Sequence, residues 1–255
     1  MKMVSVSQLY KSFGQIEAVK DLSFNVSQGE IFGLLGPNGA GKTTTITMIV
    51  GMQDPTSGTI EVAGRNVATE PTEVKKRIGY VPENCALYEN LTAREYLELI
   101  GNLHHLPKDR ISSQIEKLMR YLDLEEEIDR RMTGYSKGMK QKILLTSALL
   151  HNPDLMILDE PFSGLDSNSS AVFKQLITQL SHAGKTVIFS SHVLEVVEKL
   201  CTRLLIIHKG EKLAEGTTDE IMAQAGEASL TRAFSQLTGV TDIEDRASNI
   251  LDALE

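Results

Sequence analysis

The apolar positions of this chain follow two patterns. The runs Ile31-Phe32-Gly33-Leu34-Leu35 and Leu155-Met156-Ile157-Leu158 are short and unbroken. That reads as strand buried on both faces. Residues 78–82, 186–189 and 204–207 read as further strands. Residues 3–9 and 22–26 alternate only in part and read as short strands on either side of a turn at Phe13-Gly14, and residues 59–62 add another, ended by Gly64. From residue 92 to residue 150 the period becomes helical. Thr92 and Glu95 predict a capping box, and Tyr96, Leu97, Leu99, Ile100 and Leu103 give the helix behind it an apolar face. Pro107 breaks that helix, Ile111, Ile115, Leu118, Met119 and Leu122 mark a second, and Ser136 caps a third that Asn152-Pro153 stops. Helices at 44–50, 168–182 and 193–200 alternate with strands, which predicts a parallel sheet. The expected fold is α/β. A domain over residues 1–220 has antiparallel strands near its start and a helical lobe inserted at about 84–150, and a short helical tail fills 221–255.

Composition adds limits. A length of 255 residues suits one large domain with a lobe. The net charge of -8 argues against a nucleic-acid partner. Cys85 and Cys201 are far apart and form neither a metal pattern nor a disulfide framework, so a reducing cytoplasm is the expected setting. The first residues lack the apolar region of a signal peptide. No apolar run is long enough to span a bilayer, so any membrane role is expected to depend on another chain.

The turn after the first buried strand is Gly36-Pro37-Asn38-Gly39-Ala40-Gly41-Lys42-Thr43, and a helix opens at Thr44. Glycines leave backbone N–H groups unshielded, and a helix N-terminus favours negative charge, so residues 36–44 are candidates to cradle nucleotide phosphates. In the G-x-x-x-x-G-K-[ST] pattern Lys42 reaches the terminal phosphates and the Thr43 hydroxyl binds magnesium. Asp159 and Glu160 end the second buried strand, at the sheet edge where open α/β folds bind ligands. Asp159 suits magnesium alongside Thr43, and Glu160 suits activation of an attacking water. His192 follows another strand at that edge; its spacing fits a structural residue and a donor to the γ-phosphate equally. Ser136-Lys137-Gly138, near Arg130, Arg131, Lys140 and Lys142, reads first as a capped helix with a solvated charged face, and second as an anion site. His104-His105 is not a ligand arrangement, because adjacent helical residues point apart.

The ordered set Gly36 to Thr43, Tyr135-Ser136-Lys137-Gly138-Met139, Leu155 to Glu160, Ser163-Gly164-Leu165-Asp166 and His192 resembles the ATP-binding subunits of ABC transporters, over residues 3–220. The resemblance implies the ABC ATPase fold: a P-loop NTPase core with an N-terminal antiparallel β subdomain and an inserted α-helical subdomain. It implies ATP and magnesium as ligands. Phe13 then stacks on adenine, Asp159 is the Walker B acid, Glu160 the catalytic glutamate, Asp166 a D-loop residue and His192 the switch histidine. Ser136 and Gly138 become signature residues that face the ATP held by a second cassette, so a homodimer or heterodimer is implied and Ser136 is read as functional. The implied partners are separate transmembrane permease subunits, with this chain peripheral on the cytoplasmic face of the membrane. The cleft beside residues 83–90 and the 92–105 helix is then the expected docking site, with Tyr88 and Leu91 exposed.

Two departures stand out. Lys137 and Met139 replace the usual signature Gly and Gln, a variant that resembles exporter-type cassettes, as does the stretch 230–239. Glu83, in Tyr80-Val81-Pro82-Glu83, stands where the family has the Q-loop glutamine. It keeps an oxygen for magnesium, loses the amide donor and adds negative charge. A rival reading is a non-transport ABC ATPase in a nucleoprotein complex, which would be expected to carry tandem cassettes or a long coiled-coil insert. A GTPase would be expected to carry Asn-Lys-x-Asp. The chain has none of these.

Overall fold

The computed structural model describes residues 1–84, 86–162 and 165–239. Strands β3 (Ile31–Leu35), β7 (Leu155–Asp159) and β8 (Thr186–Ser191) are buried at every position. With β6 (Ile78–Val81) and β9 (Arg203–His208) they form a parallel sheet, edged by antiparallel β10 (Glu211–Gly216) in the order β10-β9-β3-β8-β7-β6. Successive side chains serve opposite faces. Phe32, Leu34, Ile157 and Ile188 pack on one side with α1 (Lys42–Ile49). Leu35, Leu158, Val187 and Phe189 pack on the other with α5 (Lys137–Leu149), α6 (Ser167–His182) and α7 (Leu194–Leu200).

A second sheet is antiparallel, in the order β2-β1-β4-β5. It consists of β1 (Lys2–Phe13), β2 (Ile16–Ser27), β4 (Ser57–Val62) and β5 (Arg65–Asn66). Its Val4, Leu22, Phe24 and Val62 join the cluster around α1, which therefore lies between the two sheets. The first two strands are 12 residues each, longer than their alternation predicts. Gln8 and Asp21 have φ of 46° and 44°. The β1–β2 register also shifts between Val6 and Leu9 and again before Lys11. Each bulge resets the two-residue period, so the pattern loses phase while pairing continues.

The helices α3 (Ala93–Leu103) and α4 (Lys108–Tyr121) pack with α5 around Leu97, Ile115, Met119 and Ile143. The capping box at Thr92 and Glu95 is present. The α5 helix is buried on two sides, with Ile143 in this cluster and Leu144, Leu145 and Ala148 on the sheet. Three further α-helices are α2 (Pro71–Lys75), α8 (Thr218–Ala225) and α9 (Leu230–Thr238). A Thr217–Glu220 capping box starts α8, just before the expected tail, and α9 buries Leu230 and Ala233 on the sheet cluster. The rest of the expected tail, 240–255, lies outside the described residues. No described helix is long and apolar enough to cross a membrane.

Candidate nucleotide-binding site

Sheet order, not sequence order, assembles the site. Leu35 pairs with Ser191, Asp159 with Ser190, and Val81 with Leu158. The segments that leave β3, β8, β7 and β6 therefore emerge side by side at the carboxyl edge, where open parallel sheets bind ligands. They border a cleft of about 500 Å³. Phe13 and Ala18 line it from the first hairpin, residues 38–44 form its floor, and Glu83, Glu160 and His192 close it.

The glycines of the turn are there for close approach. A Cβ on Gly36 would stand 2.3 Å from the Ile207 carbonyl oxygen. A Cβ on Gly41, whose φ is 106°, would stand 2.5 Å from the Ala18 carbonyl oxygen. The loop is also held from outside: Gly210 N donates to Ala40 O at 3.0 Å, and Lys20 N donates to Gly210 O at 2.8 Å. Lys42 is buried and folds back over the turn, donating from Nζ to the Gly36 and Pro37 carbonyls at 2.8 and 3.4 Å. The same ammonium is 3.8 Å from Glu160 Oε1.

Glu160 is itself nearly buried and has φ of 48°, an unfavourable backbone state for a residue with a Cβ. Its Oε2 lies 2.8 Å from His192 Nδ1. The carboxylate thus sits between an ammonium and an imidazole. Asp159 is fully buried; Ser190 Oγ donates to its Oδ1, while Oδ2 has no partner. A desolvated carboxylate oxygen without a donor is costly, and it suits a hard cation. Thr43 and Glu83 line the cleft and carry two more hard oxygens, while Asp159 is not among its lining residues. These residues fit magnesium. Tyr80 stands behind this acidic corner: burial above all, then the negative charges of Asp159 and Glu83, push its hydroxyl up to about 12.

Ser136, Gly138 and Asp166 do not line the cleft. Ser136 caps α5 and accepts from Met139 N at 3.2 Å. Asp166 caps α6, accepting from Ser169 N at 2.9 Å and Ser169 Oγ at 2.7 Å, bonds that lower its pKa. A Cβ on Gly138 would meet nothing nearer than Ser136 Oγ at 3.9 Å, so the chain's own packing does not require glycine there. Ser163 and Gly164 of the expected loop, and Cys85, lie outside the described residues. His104 pairs with a partner distant in sequence, stacking on His151 with ring centroids 3.8 Å apart. Sequence reading passed over Ser190, whose only signal was its place at a strand end, and Ala18, which had none.

A strand, a glycine turn around a buried lysine, and acids at the neighbouring strand ends define a P-loop nucleotide hydrolase. Comparison with known proteins narrows the class. The model of the ABC transporter family matches residues 19–163. The ABC transporter ATP-binding protein NatA of Bacillus subtilis (strain 168) is 41% identical over 81% of this chain and 84% of its own. The Nod factor export ATP-binding protein I of Paraburkholderia xenovorans (strain LB400) is 36% identical over 86% of this chain and 72% of its own. A solved ATP-binding subunit of an ABC transporter superposes with a TM-score of 0.87 at 34% identity, covering 92% of this chain and 99% of that one. The ATP-binding cassette MJ0796, solved as a post-hydrolysis dimer with ADP and Pi, gives 0.78 at 26% identity, over 84% and 98%. The chain belongs to the ABC transporter family, as an ATP-binding subunit. Its activity is that of an ABC ATPase, and its substrate is ATP.

Proposed function

We propose that two copies of this chain, or one copy and a related ATPase subunit, close head to tail on two ATP molecules and move separate transmembrane subunits. The observation that carries this reading is the position of Glu160, held by His192 and Lys42 at the end of β7 on the wall of the cleft. Phe13 takes the adenine, the loop amides of 36–43 and Lys42 take the phosphates, and His192 donates to the γ-phosphate. Glu160 draws the proton from a water as its oxygen bonds to the γ-phosphorus and the bond to the β–γ bridging oxygen breaks, leaving ADP and phosphate. Thr43, Asp159 and Glu83 would hold magnesium, which would neutralise phosphate charge when bound. Ser136, Gly138 and Asp166 stand apart from the cleft of their own chain, which suits service to the nucleotide of the partner.

In this reading residues 1–220 are the ATPase domain, and the helices within 84–150 are a lobe inserted into it. The transmembrane partner docks beside residues 83–90 and α3, placing the chain on the cytoplasmic face of the membrane. Tyr88 is 68% exposed there, with Leu99 and Leu103 also open to solvent; Leu91 is half-buried against the helical cluster. Export is the favoured direction, supported by the Tyr135-Ser136-Lys137-Gly138-Met139 variant and by the export protein among the relatives. The test is Glu160→Gln, which should keep ATP binding, show a stabilised dimer in size-exclusion with ATP, and lose about 10²–10⁴-fold in hydrolysis. Hydrolysis within threefold of wild type would sink the assignment.

A further inference from the structure

Lys11 is not among the residues that line the nucleotide cleft, yet its ammonium lies 5.1 Å from the centroid of the Phe13 ring, which does line it. The same ammonium donates to the Asp54 carbonyl at 2.6 Å. The strand is laced to that turn twice more, by Ser12 N on Thr56 Oγ1 at 3.0 Å and Thr56 N on Tyr10 O at 2.8 Å. Lys11 is thus a fixed post rather than a free surface lysine. Phe13 needs such a post. It is 46% exposed at the end of β1, beside the turn of the first hairpin, and Ile16 across that turn is 71% exposed. A ring so placed has few apolar neighbours to hold its rotamer, and ordering it at the moment of binding weakens affinity.

We propose that Lys11 is a positioning residue for the nucleobase: it holds one face of the Phe13 ring by a cation–π contact, so that the opposite face is set for the purine before ATP arrives. This rests on the reading of the cleft as the ATP site. A cation over one face of an aromatic ring is attracted by the ring quadrupole and leaves the other face free for a stacked base. Because the ammonium stands outside the cleft, its contact through the ring reaches only ligands that carry a base. Inorganic tripolyphosphate occupies the same phosphate loop and never meets the ring.

The experiment is equilibrium binding of ATP and of tripolyphosphate, each with magnesium, to the full chain and its variants. Lys11→Met should weaken ATP about two- to fivefold and leave tripolyphosphate unchanged. Lys11→Arg, which keeps a cation over the ring, should retain wild-type ATP affinity. On a Phe13→Ala background Lys11→Met should have no further effect. Equal weakening of both ligands, unchanged ATP affinity, or an undiminished effect without the ring would each overturn the proposal. A wild type that binds ATP no better than tripolyphosphate would remove the stacked base and the role of Lys11 with it, leaving the phosphate site intact. A wild type that binds neither would overturn the ATP-site reading itself.

Discussion

The Ser190 hydroxyl donates to Asp159 Oδ1 inside the core, and accepts from the backbone N–H of Glu160 at 3.0 Å. One side chain thus orients two successive acids on the adjacent strand. Ser190→Ala would leave both Asp159 oxygens without a donor and the Glu160 N–H without an acceptor. Unsatisfied buried groups cost about 1–3 kcal/mol each, and two are created, so urea denaturation should show a loss of about 2–6 kcal/mol. Hydrolysis should fall more than ATP binding, because Glu160 loses its backbone anchor. A variant as stable and as active as wild type would contradict the bridge.

Gly36 and Gly39 are expected to respond differently to alanine. At Gly36 the added methyl would face the Ile207 carbonyl at 2.3 Å, backbone against backbone. Overpacking of this kind typically costs about 1–3 kcal/mol, and here it also displaces the phosphate loop. At Gly39 there is nothing within 4 Å, and only the left-handed φ of 79° is penalised, by about 1–2 kcal/mol. Gly36→Ala should therefore melt lower and lose ATP binding in calorimetry. Matched melting and binding in the two variants would refute the close approach.

How much of this was legible in the chain depends on what each element is made of. The buried strands and the phosphate turn were readable because they are local: an apolar run, a glycine pattern and a lysine fall within 13 residues, 31–43. The Thr92 cap was readable for the same reason. The paths of β1 and β2 were not, since the bulges near Gln8 and Asp21 break the period that a sequence reader counts. β10, with two exposed positions at its start, gave no apolar run to count. The site was legible as residue types at strand ends, but not as contacts. Glu160 and His192 are 32 positions apart and meet only because β7 and β8 are neighbours. The Ser190 bridge and the tie of Lys11 to the Asp54 carbonyl depend on pairing that no spacing reveals.

A mixed-dimer experiment follows from where Ser136 stands. It caps α5 and does not line the cleft of its own chain. Lys42→Ala and Ser136→Arg should each be inactive alone, the first through lost phosphate binding and the second through a blocked partner site. In a heterodimer of the two, one composite site keeps both intact halves. Mixing should restore part of the hydrolysis. No recovery in demonstrated heterodimers would remove Ser136 from the opposite site.

The stacked pair His104–His151 makes stability depend on pH. His151 Nε2 lies 3.0 Å from the Ile78 carbonyl oxygen and its Nδ1 is buried without a partner. Burial above all, then the neighbouring His104, lowers its pKa from 6.5 to about 4, with Lys185 adding to the effect against the Ile78 bond. Between those values the unfolded chain binds the proton and the folded chain does not. Stability should therefore be full above pH 6.5 and decline as pH falls towards 4. After discounting for partial exposure, the loss at mildly acidic pH is on the order of 1–2 kcal/mol. Urea midpoints across that range should fall less steeply in His151→Gln than in wild type. Parallel slopes would mean that His151 is already charged in the folded protein.

Glu83 exposes the site to two opposed effects. It lines the cleft with Glu160, and its charge adds to that of the buried Asp159 in the effect on Tyr80. The triphosphate repels a third carboxylate, while magnesium attracts it and is often the largest local charge in such a site. A carboxylate is also a better ligand than an amide for a hard cation that prefers oxygen. With metal present, attraction prevails at ligand distance; without it, only repulsion is left. Glu83→Gln should therefore bind ATP more tightly in the absence of magnesium. It should also need more magnesium for half-maximal hydrolysis, by on the order of three- to tenfold. Fluorescent-nucleotide binding measured with and without the metal gives the first value, and a magnesium titration of turnover gives the second. Equal midpoints in wild type and Glu83→Gln would mean that Glu83 is not a ligand in the working state, and that the nucleotide is held despite its charge rather than with its help.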